Sequence, residues 1–145
     1  MRVAVGFDHA GFPLRERLLQ ELSHHDVVDC GARTLLPDDD YPDYARAVGE
    51  ALGAGRADRG ILVCGSGVGA SVAASKMRGI RGALCHDTFS ARQGVEDDDV
   101  NVLCIGARVI GPELMAEVVR AFLAARFSEA PRHRRRLAKI AAMER

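Results

Sequence analysis

Short apolar runs alternate with longer amphipathic ones along the whole chain, and this alternation constrains the fold more than any other feature. RVAVGF (2–7), DVVDC (26–30), RGILVC (59–64), IRGALC (80–85) and NVLCIG (101–106) have the length of strands. They lack polar alternation, as strands covered on both faces do. Between them, GFPLRERLLQELSHH (11–25) carries Leu14, Leu18, Leu19 and Leu22 at helical spacing. YPDYARAVGEALGAG (41–55) reads as a helix stopped by Gly53 and Gly55, VGASVAASKM (68–77) as a small-residue helix, and HDTFSARQGV (86–95) as a short one. PELMAEVVRAFLAARF (112–127) has Pro112 in its first turn, and PRHRRRLAKIAAMER (131–145) is a basic terminal helix. Strand and helix in alternation build a parallel sheet with helices on both faces. The expected fold is α/β: one three-layer α/β/α domain over residues 1–145, with a five-stranded parallel sheet and a C-terminal helix.

Composition narrows the function. The chain has 20 Lys plus Arg against 20 Asp plus Glu, a balance that argues against nucleic acid as a partner. The four cysteines, at 30, 64, 85 and 104, contain no C-x-x-C pair, which removes zinc-ribbon and thioredoxin-type sites. No apolar run approaches the ~18 residues of a membrane helix, and the N-terminal run is broken too early for a signal peptide. The expected setting is cytoplasmic, with reduced thiols and no membrane partner.

In parallel sheets of this kind, ligands bind at the carboxyl ends of the strands. Four segments therefore matter: Asp8 to Gly11, Cys64 to Gly69, His86-Asp87, and Gly106 onward. The glycine loop after Cys64 turns backbone N–H groups inward and leads into a helix, which makes an anion site. Gly65 to Ala70 also fits the relaxed dinucleotide fingerprint G-x-G-x-x-A, and Asp87 falls where a ribose-binding acid would lie. A dehydrogenase, however, would need a second domain. Cys64, at a strand end beside a helix start, is either a base or nucleophile or a small buried hydrophobe. Cys30, Cys85 and Cys104 read as core residues. Asp8-His9 is either a proton-handling and phosphate-binding pair or a helix cap with a surface histidine. Arg132 and Arg136 are four apart and share a helix face, which suits a phosphomonoester. The triplets Asp38-Asp39-Asp40 and Asp97-Asp98-Asp99 read as turns and caps rather than metal ligands.

Together the segments G-F-D-H-A-G, D-Y-P-D-Y-A (40–45), C-G-S-G-V-G (64–69), K-M-R-G-I-R (76–81), N-V-L (101–103) and R-H-R-R-R (132–136) resemble the type B ribose-5-phosphate isomerases, a family that includes the galactose-6-phosphate isomerase subunits. The resemblance runs the length of the chain, in order. It implies a Rossmann-like fold, no cofactor, and a homodimer or homotetramer with active sites shared between subunits. The implied reaction is aldose–ketose isomerisation of a sugar phosphate, ribose 5-phosphate to ribulose 5-phosphate in the pentose phosphate pathway. In that reading Cys64 is the base that moves a proton between C1 and C2, with the hydroxyl of Ser66 beside it. Amides around Gly65, Gly67 and Gly69 hold the enediolate, Asp8 contacts sugar hydroxyls, and His9, Arg132 and Arg136 bind phosphate. Backbone amides fixed in a glycine turn stabilise such an oxyanion without reorganising.

One agreement and one departure sharpen the resemblance. Members with serine in place of Cys64 use a glutamate further along the loop; here that place is Ala70, so the chain follows the cysteine branch. Members typically carry His-Asn before the fifth strand, the histidine being implicated in opening the sugar ring. Here Asp97 and Asp98 stand there, while Asn101 is kept as a substrate-binding position. Asp97 is then the acid–base group in that place. Alternatively the substrate needs no ring opening, as for a tetrose 4-phosphate such as erythrose or erythrulose 4-phosphate, or it is a hexose 6-phosphate.

Overall fold

The computed structural model describes residues 1–144. Five strands, β1 (Arg2–Phe7), β2 (Asp26–Asp29), β3 (Arg59–Cys64), β4 (Gly82–Leu84) and β5 (Val102–Gly106), form one parallel sheet in the order β2-β1-β3-β5-β4. Six helices surround it: α1 (Arg15–Glu21), α2 (Tyr41–Gly53), α3 (Val68–Ala74), α4 (Thr88–Asp98), α5 (Pro112–Ala124) and α6 (Pro131–Ala141). This is the three-layer α/β/α fold expected from the alternation of runs.

Alternate residues of each strand feed two cores. Val3, Val5, Phe7, Ile61, Val63, Leu103 and Ile105 pack with Leu18, Met115 and Phe122 on the α1, α4 and α5 side. Ala4, Leu62, Cys64, Val102 and Cys104 pack with Val48, Ala70 and Ala74 on the α2 and α3 side. Burial on both faces is why the strands read as unbroken apolar runs.

Several elements are shorter than the sequence patterns. The first helix opens as a 3₁₀ turn over Phe12–Leu14, with Pro13 in it, and α1 ends at Glu21. α3 ends at Ala74 rather than 77, and β4 keeps only three residues at the sheet edge, where Leu84 is exposed. An edge strand has one neighbour to pair with, here β5, so its ends lack a second ladder to hold them.

The strand order reverses between β1 and β3. β1 is followed by its outer neighbour β2, whereas β3 leads on to β5 and β4 on the other side. Loops leaving a sheet at such a point diverge and open a crevice at the carboxyl ends of the two strands. The residues just past β1 and β3 are Asp8-His9 and Gly65-Ser66.

Candidate active site

A cleft of about 370 Å³ occupies this crevice, lined by Asp8, His9, Ala10, Tyr41, Cys64, Gly65, Ser66, Gly69, Arg108 and Val109. The register builds it. Phe7 pairs with Val63 and Cys64 with Gly106, so the ends of β1, β3 and β5 lie side by side. The ladder continues past the strands: Ala107 N–H donates to the Cys64 carbonyl at 2.8 Å and Arg108 N–H to the Gly65 carbonyl at 3.0 Å. Arg108 is thereby held against the glycine loop.

Cys64 is buried, and its Sγ accepts the Gly67 N–H at 3.1 Å. That bond needs the loop to double back, and Gly67 does so with a φ of +79°. A Cβ there would meet Leu84 Cδ1 at 2.5 Å and the Ile105 carbonyl carbon at 2.9 Å. Gly69 has a different reason to lack a side chain: the Tyr41 ring lies where its Cβ would stand, 2.5 Å from Cζ. Ser66 is exposed on the cleft wall, and its Oγ accepts the Val68 N–H at 3.3 Å. The α3 helix has only seven residues, so the loop amides, more than a helix dipole, give this turn its positive character.

Asp8 is 5% exposed and accepts the Gly11 N–H at 2.8 Å, so it closes the turn that follows β1 while lining the cleft. One carboxylate thus both holds a turn and faces the cleft. His9 is not a free surface histidine. Asp39 Oδ1 accepts its N–H at 2.9 Å and lies 2.8 Å from its Nδ1, and the Tyr44 hydroxyl donates to Asp39 Oδ2 at 2.8 Å. The Asp39 hydrogen bond holds His9 above the ordinary histidine range, with Asp8 adding to it and Arg108 opposing. Donor atoms of Asp8, His9 and Asp39 lie within 4.8 Å of one another. Both Asp39 oxygens and His9 Nδ1 are already spent on each other and on Tyr44, which makes the group a hydrogen-bond network.

The remaining candidates do not reach this cleft within one chain. Asn101 precedes β5 and so lies at the amino edge of the sheet, opposite the cleft. Its Oδ1 accepts the Arg81 N–H at 2.8 Å and its Nδ2 donates to the Gly79 carbonyl at 2.8 Å. This corrects its reading as a substrate ligand within its own chain: it ties the turn before β4 to β5. Asp97 is at the far end of α4, accepting from Gln93 Nε2 at 2.7 Å and lying 3.5 Å from His133 Nε2. Arg132 and Arg136 are exposed on α6, outside the cleft lining. They do not share a sheet edge with Cys64 in one chain. Asp87 is no ribose acid: it caps α4 by accepting the Ser90 N–H at 2.7 Å.

Three contributors escaped the sequence reading. Arg108 and Tyr41 line the cleft; Arg108 lay in the segment after Gly106 that the strand-end rule marks, and Tyr41 lay in the D-Y-P-D-Y-A motif. Asp39 reads as a turn residue in its aspartate run but bonds the His9 backbone N–H and ring. His86, also past a strand end, accepts the Gly106 N–H at Nε2 (2.8 Å), and burial pushes it below the usual histidine range. The other cysteines match the core reading: burial pushes Cys85 up to about 11 and raises Cys30 and Cys104.

Comparison with known proteins agrees with this geometry. A sequence model of the Ribose/Galactose Isomerase family matches residues 3–140. The chain is 41% identical to ribose-5-phosphate isomerase B of Escherichia coli K12, over 99% of this chain and 96% of that one. It is 37% identical to D-erythrulose-4-phosphate isomerase 2 of Mycolicibacterium smegmatis, over 88% and 86%. The solved type B ribose 5-phosphate isomerase of Trypanosoma brucei superposes with a TM-score of 0.95 at 43% identity, covering 99% of this chain and 98% of that one. With the family motifs in order along the chain, and Asp8, His9, Tyr41 and Cys64 from three of them lining one cleft at the switch point, the chain belongs to the ribose/galactose isomerase family of sugar-phosphate isomerases.

Proposed function

We propose that the chain interconverts ribose 5-phosphate and ribulose 5-phosphate through a cis-enediolate, in the cytoplasm and as a step of the pentose phosphate pathway. The observation that carries this reading is Cys64 Sγ, held by the Gly67 N–H in a cleft it shares with Asp8, His9, Ser66 and Arg108. Cys64 Sγ takes the C2 proton of the open-chain aldose and returns it to C1. A second proton passes between O2 and O1, with the Ser66 hydroxyl beside it. Gly67 N–H is committed to the sulfur, so the enediolate oxygens fall to the other amides of the loop, around Gly65 and Gly69. Asp8 orients sugar hydroxyls, and His9 with Arg108 grips the phosphate at the far end, where binding energy positions the reacting carbons.

In the same reading the site is completed by a second copy, as homodimer or homotetramer. Two features support this. Arg132 and Arg136 are exposed, and Asp97 lies beside α6 through its contact with His133. Val68 and Val72, one turn apart on α3, are exposed together with Leu84 and Phe89 near the β4 edge. An apolar surface of this kind is more often covered than left in water. The partner would bring Arg132 and Arg136 to the phosphate and Asp97 to ring opening.

A tetrose 4-phosphate is the second reading, favoured by Asp97, whose carboxylate is already engaged by Gln93 and His133. A tetrose phosphate has no furanose to open. Initial rates on ribose 5-phosphate, erythrose 4-phosphate, allose 6-phosphate and galactose 6-phosphate separate the cases. A kcat/KM highest for ribose 5-phosphate is expected; a higher value for erythrose 4-phosphate replaces it with the tetrose reading.

A further inference from the structure

His9 reaches the cleft from a loop, yet its ring is held from the side away from the cleft. Its Nδ1 is 2.8 Å from Asp39 Oδ1, the same oxygen that accepts the His9 backbone N–H at 2.9 Å. The Asp39 side chain is only 8% exposed, although it sits in a run of three aspartates on a surface loop. Its other oxygen takes the Tyr44 hydroxyl at 2.8 Å from the first turns of α2. Tyr44 stays a donor, because burial and the Asp39 carboxylate push it up to about 12. Nε2 of His9 has no protein partner among the described residues, and Asp39 does not line the cleft. The chain Tyr44–Asp39–His9 thus ends on one unpartnered ring nitrogen beside the space a ligand would occupy.

We propose that Asp39 is a positioning residue for substrate binding: it fixes the His9 ring through Nδ1 and sets its carboxylate beside it, so that Nε2–H is aimed as a donor at the substrate phosphate. This rests on the reading of His9 as a phosphate ligand. A carboxylate on one ring nitrogen fixes both the tautomer and the orientation of the other. The groups facing His9 are Asp8 from its own loop, Asp39 and Tyr44 from the loop and helix beside it, and Arg108 from the segment after β5. Asp8 and Asp39 favour the charged ring; Arg108 opposes it.

The test compares wild type with Asp39→Asn, Tyr44→Phe and His9→Gln. KM and kcat for ribose 5-phosphate are measured from pH 6 to 8.5, and the His9 ring is titrated by NMR. Asn keeps the size and one acceptor of Asp39 and removes its charge. In Asp39→Asn, His9 titrates lower, and KM relative to wild type rises on the order of fivefold at pH 8, the scale of one charge-assisted hydrogen bond made neutral. The ratio returns toward one as pH falls and both rings gain the proton, while kcat changes little. Dividing by wild type cancels the titration of the phosphate itself. Tyr44→Phe withdraws a donor from Asp39, concentrates its charge, and moves the His9 titration upward. The proposal is overturned if His9 titrates as in wild type in both variants, or if the KM ratio for Asp39→Asn is flat across pH. An unchanged KM in His9→Gln overturns the phosphate reading of His9 instead, and the NMR titration then still decides whether Asp39 controls the ring.

Discussion

The Gly67 N–H points at Cys64 Sγ from 3.1 Å, so the glycine loop holds the sulfur at the end of β3 as well as walling the cleft. A sulfur serving only as core filling needs no donor aimed at it. If Cys64 is the base proposed above, Cys64→Ala and Cys64→Ser remove the group that moves the proton and should leave the fold intact. The expected loss is on the order of 10²- to 10⁴-fold in kcat, the usual worth of a positioned base. Circular dichroism should be unchanged. Wild-type turnover in both variants would falsify the assignment of Cys64 as the base.

Gly67→Ala places a methyl group 2.5 Å from Leu84 Cδ1 at a backbone φ of +79°. The leucine tip can move; the backbone of Ile105, 2.9 Å away, cannot do so cheaply. A loss of roughly 1–3 kcal/mol in unfolding free energy is expected. Because the same residue donates to Cys64, kcat should fall as well. Urea titration and initial rates on one preparation check both.

Arg108 faces the cleft from the segment after β5, pinned by its own N–H on the Gly65 carbonyl. If it grips phosphate, Arg108→Gln raises KM by roughly tenfold or more, the scale of a lost charge-assisted hydrogen bond. Inorganic phosphate should weaken as a competitive inhibitor in parallel. Equal inhibition of the variant and wild type would show that the guanidinium serves another purpose.

Asp29 gives the fold a pH dependence. Its hydrogen bond from Arg15, 2.6 Å at the shorter contact, holds its carboxyl below the usual carboxylate range, helped by the Gly31 N–H. A carboxyl whose folded pKa is lowered stabilises the protein above its unfolded pKa, near 4, and that contribution disappears as pH falls through the folded value. Asp29→Asn should cost about 1–3 kcal/mol at pH 7. The gap to wild type should close as pH drops below about 4. Thermal unfolding at pH 7 and pH 3 measures it; a gap that stays constant means the pair is screened by solvent.

Arg59 lies across the sheet and closes the end of α5. Its guanidinium donates to the Phe122 carbonyl and, at 2.6 Å, to the Ala125 carbonyl, and stacks 5.1 Å from the Phe122 ring centroid. Arg59→Met keeps the stem and leaves those carbonyls without their donor, which costs roughly 1–3 kcal/mol. Activity at 25 °C should be preserved, since Arg59 is at the opposite edge of the sheet from the cleft. The midpoint of urea unfolding reads the first effect, and an assay of the same sample reads the second.

The terminal helices show where sequence patterns stop. Arg132 and Arg136 share a face of α6, as their spacing of four requires, but which surface α6 docks on depends on contacts far away in the chain. His133 settles it: buried at 3% exposed, it hydrogen-bonds with Ser128 Oγ at 2.6 Å and approaches Asp97. Nothing in R-H-R-R-R distinguishes the buried histidine from its exposed neighbours. Asn101 lies away from the cleft of its own chain for a simpler reason. It stands before a strand, and in a parallel sheet that is the edge away from the ligand.

The sequence by itself determined the layers of this protein and one side of its site. Burial on both faces leaves strands no polar positions, and helical spacing marks which stripe packs on them, so the α/β/α fold is written in local periodicity. Asp8, His9, Cys64 and Ser66 follow strand ends, and strand ends locate ligand sites in such sheets. Only the tertiary structure decided what meets them. Strand order set β1 beside β3, register carried Arg108 onto Gly65, and loop packing brought Asp39 and Tyr44 to His9. Those contacts join residues roughly 30 to 60 apart or lie in irregular loops, and no periodicity along the chain encodes them.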